Sequence, residues 1–336
     1  MEPTLSRRRF VGISAAAAGL ALVPFGQAAH AGASLVTWRG QTMGAVASLQ
    51  IHHHDHVAAG RLIERAVAEA RRLEQVFSLY RDDSALVTLN RHGVLIAPPK
   101  DLIDLLAECR RYFELTYGAF DPTVQALWTL YQDHFSQPGA DPQGPSQQAL
   151  QDAQSRVGFD RVAFSRDRIA FPRGTALTLN GIAQGYVTDR IVGLLRAEGL
   201  DRSIVDMGES RAIGARPDGT PWRIGIVDPD DPSRIAERVD IVDQAVATSG
   251  GYGFRFDGQG RFNHLFDPRT GASAHRYRSV TTVMPTATAA DALSTAFSMM
   301  SLQAIENALQ SVGHGRAHLV TAGGFRMIVE RRLGPT

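Results

Sequence analysis

The residues with the most chemistry in them lie between His264 and Thr295. The run ADALSTAF at 290–297 sets Asp291, Ser294 and Thr295 at spacings of three and four. In a helix, Asp291 and Thr295 share a face and Ser294 lies close to it. A carboxylate beside one or two hydroxyls is an oxygen donor set suited to Mg²⁺, which keeps coordination positions for water and substrate phosphates. Upstream, HLFDPRTG at 264–271 supplies a histidine followed by a tight Asp-Pro-x-Thr-Gly turn. A cation that can hold a diphosphate and an imidazole that can accept a proton point to phosphoryl chemistry. Each piece alone has a plainer explanation: a helix-capping aspartate, hydroxyls bonded back to the preceding turn, a good turn. The combination carries the reading.

The elements that must position these residues follow from periodicity. Apolar and polar residues alternate through 35–51, which predicts strands. Asp55 is placed to cap a long amphipathic helix whose apolar face is Ile63, Ala66, Val67, Ala70, Leu73 and Phe77. Further helices fit 84–91, 100–116 and 122–132, and the Pro/Gly/Gln-rich run at 135–148 reads as a surface loop. A helix runs from Gly181 to Gly199. Short strands and turns fill 202–284, helices lie near 289–312, and strands close the chain at 316–331. Strands and helices are intermixed without regular βαβ alternation, so the fold class is α+β, with mixed sheets flanked by helices. No Walker-type or dinucleotide-fingerprint glycine loop occurs. His52, His53, His54 and His56 read as a solvated loop, with a transition-metal site as the alternative.

The chain has 336 residues, 44% hydrophobic and 21% charged, as in ordinary globular enzymes. A formal net charge of +1 gives no footprint for nucleic acid or an anionic membrane. Lys100 is the single lysine; the other basic side chains are arginines. Cys109 is the single cysteine, so no intrachain disulfide can form, and its place in an apolar helical pattern makes it a small core residue.

Ser6-Arg7-Arg8-Arg9-Phe10-Val11 is a twin-arginine sequence, followed by an apolar stretch from Val11 to Phe25 and a small-x-small site at Ala29-His30-Ala31. The stretch is shorter than the roughly 20 residues a membrane span needs. Residues 1–31 therefore read as a Tat signal peptide, and residues 32–336 as a soluble mature protein of one domain or two fused lobes in a bacterial periplasm.

Eight motifs in order resemble the FAD:protein FMN transferases, the ApbE-like flavin transferases. They are QTMGAVASLQI at 41–51, FSLYRDDSALVTLN at 77–90, GAFDPTV at 118–124, LNGIAQGYVTD at 179–189, VDMG at 205–208, ATSGGY at 247–252, HLFDPRTG at 264–271 and ADALST at 290–295. The resemblance implies a T-fold-related architecture of largely antiparallel sheets. It implies transfer of FMN from FAD, with AMP released, to a Thr or Ser hydroxyl of a partner flavoprotein. It places flavin contacts at Met43, Tyr80, Ala119, Phe120, Asp121, Thr178, Gln184 and Leu265. It places Mg²⁺ on the Gly181 carbonyl, Asp291 and Thr295, and a proton-accepting role on His264. Ser294 stands where some relatives carry a second aspartate, which leaves open whether it is a ligand.

Two departures mark a subgroup. Gly208 is followed by Glu209 where many relatives have a second glycine, and Gly250 by Gly251 where many have aspartate. With the Tat signal, FSLYRDDSAL and TSGGYG resemble the NosX-like members associated with nitrous-oxide respiration, which implies a NosR-like, membrane-bound acceptor. An FAD pyrophosphatase releasing FMN and AMP, and a non-catalytic flavin carrier or assembly factor, are the alternatives that the same residues allow.

Overall fold

The structure is a computed structural model that describes residues 20–22 and 34–330. The twin arginines Arg7-Arg8 and the cleavage site at Ala29-His30-Ala31 lie outside the described residues. Leu20–Leu22 (β1) lies within the expected leader.

The mature fold opens with a hairpin, Ser34–Thr42 (β2) and Ala45–His53 (β3), joined by Met43 and Gly44. Both turn residues have positive φ, 50° and 79°, the geometry that matches the twist of paired strands in a two-residue hairpin. Asp55 then accepts from the amides of Val57 and Ala58 and starts helix α1 (His56–Phe77), as its position predicts. Next come α2 (Ala85–His92), β4 (Val94–Ile96), α3 (Lys100–Leu115) and α4 (Gln125–Phe135). The surface loop at 135–148 gives way to α5 (Gln147–Gln154), a helix the periodicity does not predict because only Ala153 of it is buried. β5 (Ala163–Phe164) and β6 (Arg168–Ala170) form a small antiparallel sheet with β4.

Helix α6 runs Ala183–Ala197. Then follow β7 (Ser203–Asp206), β8 (Ser210–Ile213), β9 (Trp222–Val227), β10 (Ile235–Ile241), β11 (Ala245–Ser249) and β12 (Tyr277–Met284). Helix α7 (Ala287–Phe297), α8 (Leu302–Val312), β13 (Arg316–Thr321) and β14 (Arg326–Glu330) end the described chain. Eight strands form one sheet in the order β14-β13-β12-β11-β8-β7-β3-β2, every pair antiparallel. The expected α+β architecture is therefore present. β1, β9 and β10 form a second antiparallel sheet.

Period-2 alternation assigns the two faces of the main sheet. Ala245 and Ala247 of β11, Val205 of β7 and Val280 of β12 join the large core beneath the helices. Their neighbours Val246, Ile204 and Val283 join a second core with Trp222, Ile224 and Ile226 of β9 and Val239 and Ile241 of β10. Both faces are covered, so β11 and β12 are buried along most of their length. Cys109 is fully buried in the large core. A third, aromatic core gathers Leu127 and Tyr131 of α4, Ala153 of α5 and Phe266 of the long β11–β12 connection. His53 and His54 stack on each other, and His52 packs beside Trp222. No helix among the described residues is long and apolar enough to cross a membrane.

Two helices far apart in sequence are locked together by crossed caps. Asp189 of α6 accepts from the amides of Ala287 (2.8 Å) and Thr288 (2.9 Å) at the start of α7. Asp291 of α7 accepts from the amide of Gly185 (3.0 Å) in the first turn of α6. The contact is tight: a Cβ at Gly185 would lie 2.6 Å from the Ala287 carbonyl carbon and 2.8 Å from the Thr288 nitrogen. Gly185→Ala must push the helices apart and should lower stability by about 1–3 kcal/mol in chemical denaturation; an unchanged midpoint would contradict this packing.

Candidate active site

Three parts of the main sheet converge at one end of it. They are the Met43-Gly44 hairpin tip, the β7–β8 turn at 207–209, and the end of β11 at Thr248 and Ser249. The first turn of α6 and the second turn of α7 face the same space. Between them is an open cavity. Met43, Tyr80, Thr178, Gly181, Gln184, His264, Leu265, Asp291 and Thr295 all line it. These residues come from five separate sequence motifs and from Thr178 just before one of them, so most of the expected site is brought together.

The α7 helix begins at Ala287, so Asp291 is not the cap of its own helix; Thr286 fills that position by accepting from the Ala289 amide. Asp291 is 4% exposed. Burial raises its pKa to about 7, Asp189 pushes it the same way, and the Gly185 amide opposes them. A Cβ on Gly181 would meet the Thr295 hydroxyl at 2.8 Å, so only a glycine lets that backbone approach the hydroxyl. Ser294 is buried one step behind the lining. Its hydroxyl bonds the Asp291 carbonyl (3.0 Å) and the Ser249 hydroxyl (2.8 Å). The Gly181 backbone, the Thr295 hydroxyl and the Asp291 carboxylate fit a hard divalent cation, and among the described residues no lysine or arginine lines the cavity to meet the carboxylate's charge.

His264 lines the same cavity from the connection between β11 and β12. Its Nδ1 lies 3.3 Å from the Phe254 carbonyl, which can only accept, so Nδ1 carries the proton and Nε2 keeps the lone pair. The turn after it is as the motif predicts: Arg269 N donates to the Asp267 carboxylate and Gly271 N to the Asp267 carbonyl. Gly271, at φ 69°, packs on Leu127 and Leu150 of the aromatic core. The His264 ring is half-buried, without an acidic partner. Burial takes its pKa down to about 4, below the ordinary histidine value near 6.5, so the imidazole is neutral at physiological pH.

The GAFD segment is arranged differently. The Asp121 carboxylate is 7% exposed and accepts from Thr123 N (2.7 Å), Thr123 Oγ1 and Phe159 N (3.1 Å). It caps the 3₁₀ turn Pro122–Val124. Neither Asp121 nor Phe120 lines the cavity, and Ala119 lines a separate one with Arg269, Arg276 and Met300. The segment reaches the site indirectly: the Pro122 carbonyl accepts from Thr178 N at 2.7 Å.

Several lining residues go beyond the sequence reading. Asn180 donates to the Tyr80 hydroxyl (3.1 Å). Thr248 bonds Thr281 across the sheet (2.8 Å), and Ser249 bonds Ser294. Trp128 packs on Phe254, whose carbonyl holds His264. Glu209, 2% exposed, lines the cavity with Oε2 unpartnered. Asn180, Thr248, Ser249 and Glu209 lie in or beside quoted motifs. Trp128 has no sequence signal beyond an apolar helix position.

The cavity at the end of the antiparallel sheet thus gathers oxygen donors and a neutral imidazole in one lining. The pattern of the ApbE family matches residues 43–319, and the chain belongs to that family. It is 33% identical to the FAD:protein FMN transferase of Treponema pallidum over 259 residues, covering 70% of each chain. It is 28% identical to the FAD:protein FMN transferase of Escherichia coli K12 over 286 residues, 82% of this chain and 81% of that one. Among solved structures, the ApbE protein of Thermotoga maritima superposes with a TM-score of 0.77 at 27% identity, covering 89% of this chain and all of that one. The flavin transferase ApbE of Vibrio cholerae gives 0.75 at 26%, covering 89% and 97%.

The Asp291 environment gives a pH test with a definite sign. Its folded pKa, about 7, lies above the unfolded value near 3.9, so the stability cost of ionising it is absent below pH 4 and complete above pH 7. In EDTA, Asp291→Asn should melt higher than the parent at pH 8, by up to about 4 kcal/mol of stability, and should match it near pH 4. Parallel melting curves across that range would contradict the buried, uncompensated carboxylate.

Proposed function

We infer that this chain is an FAD:protein FMN transferase. The single observation that carries it is the cavity itself, whose lining brings Asp291, Thr295 and Gly181 together with His264, Met43 and Tyr80. Met43 and Tyr80 offer a polarizable and an aromatic surface for an isoalloxazine ring. The acceptor hydroxyl attacks the phosphorus attached to riboflavin; its proton passes to Nε2 of His264. The new bond joins that oxygen to FMN phosphorus, and the bond to the bridging oxygen breaks, releasing AMP. The neutral His264 needs no prior deprotonation, and its tautomer is fixed by the Phe254 carbonyl. Mg²⁺, held by the Gly181 carbonyl, Asp291 and Thr295, would neutralise diphosphate charge and stabilise the leaving AMP.

The acceptor we assign is a membrane-bound, NosR-like flavoprotein of nitrous-oxide respiration, met in the periplasm after Tat export. The support is the Arg7-Arg8 leader together with FSLYRDDSAL and TSGGYG. Replacing Arg7 and Arg8 with lysine should leave precursor in the cytoplasm; normal periplasmic accumulation would exclude this route.

Transfer is read as a fluorescent acceptor band on a denaturing gel after incubation with FAD and Mg²⁺. His264→Asn should keep FAD affinity near the parent's and slow band formation at least about a hundredfold. A parent-like rate would remove the base from His264. EDTA should abolish the band. FMN and AMP formed at full rate without an acceptor would favour the pyrophosphatase instead.

A further inference from the structure

We propose that Glu209 is a further carboxylate ligand of the divalent-cation site, making the site one that this chain can load before FAD arrives. The inference rests on the cation reading above and extends its ligand set. Glu209 is 2% exposed, its Oε2 has no hydrogen-bond partner, and it lines the same cavity as Asp291. A buried carboxylate without a partner is costly, and such groups persist where a cation or a fixed donor completes them.

The placement is structural, not incidental. The Glu209 carbonyl accepts from Thr188 Oγ1 (3.0 Å), and Asp291 accepts from Gly185 N. Gly185 and Thr188 are three apart on α6, so both acidic segments dock on one face of that helix. Gly208, at φ 111°, turns the chain into this position; a Cβ there would lie 2.7 Å from the Gln184 amide carbon. Asp206, one strand-end earlier, is already satisfied by Gly208 N and Ser210 Oγ. Glu209 is therefore the acid left without a partner. Among the described residues no lysine or arginine lines the cavity to compensate the two acids, and a diphosphate entering it adds more negative charge. Oxygen donors of this kind with unmet negative charge take Mg²⁺ or Mn²⁺.

The test is Mn²⁺ binding to the full chain without FAD, by calorimetry and by loss of the free Mn²⁺ resonance signal. Glu209→Gln should weaken Mn²⁺ at least about tenfold, leave FAD affinity in EDTA no weaker than the parent's, and melt no lower than the parent in EDTA. Glu209→Asp, which keeps the charge, should recover part of the Mn²⁺ affinity. Parent-like Mn²⁺ affinity in Glu209→Gln overturns the proposal, as does a selective loss of FAD affinity, which would make Glu209 a flavin contact. A lower melting point in EDTA would mean a structural hydrogen bond and also overturn it. Asp291→Asn separates the two levels of the argument. If it loses Mn²⁺ and Glu209→Gln does not, only Glu209 is misassigned; if neither loses Mn²⁺, the cation reading itself fails.

Discussion

The reciprocal capping of α6 and α7 is the interaction on which the site depends. Helix starts leave amides unpaired, and here each helix supplies the carboxylate that the other lacks: Asp189 for α7 and Asp291 for α6. Ile182, at the start of α6, offers no side-chain cap. The arrangement works only because Gly185 lets the two backbones meet. Arg211 pairs with Asp189 and helps balance that acid within the fold. Asp291 has no such counter-ion, and one of its oxygens holds a helix while the residue faces the cavity. The same carboxylate is thus both a structural cap and a charge in want of a cation.

That asymmetry sets the electrostatics of the site. The lining carries acids and hydroxyls together with a neutral imidazole backed by aromatic rings. A nucleotide diphosphate would meet repulsion from such a lining unless a cation came between. Placing the donors within α7, just ahead of α6 and at the end of β11 gives them a rigid frame, while the imidazole rides on a loop tied down by its own turn and the Trp128–Phe254 contact. The low pKa of His264 follows from burial without an acidic neighbour. Negative charge on a bound diphosphate would draw it back upward, toward the range where a base works well.

Much of the fold is legible in the residues because it is local. Asp55 caps the helix that its spacing predicts, Met43-Gly44 forms a two-residue turn between alternating runs, and Asp267 to Gly271 closes as its composition demands. What escapes is what tertiary contact decides. Helix α5 carries too little apolar surface to announce itself. The aspartate at 291 looks like a cap for its own helix, yet it caps another one 106 residues away in sequence. The separation of Asp121 from the cavity depends on Thr123 and Phe159 taking its oxygens, which no motif states. Glu209 reads as a mere departure from a glycine pair until the α6 face beneath it is known. Sequence order of motifs identifies the family and gathers the site; the partners of each polar atom need the packed chain.

The cavity has walls rooted in different cores. The oxygen donors belong to the large core under the helices, whereas His264 is carried by the connection that packs through Phe266 onto Tyr131 and Leu127. Heat or a destabilising change that loosens the smaller aromatic cluster would carry the imidazole away while the eight-stranded sheet stayed intact. Thermal inactivation of such an enzyme would run ahead of its global melting, and a protein that still looks folded by its helix signal would already have lost the His264 ring from its cavity.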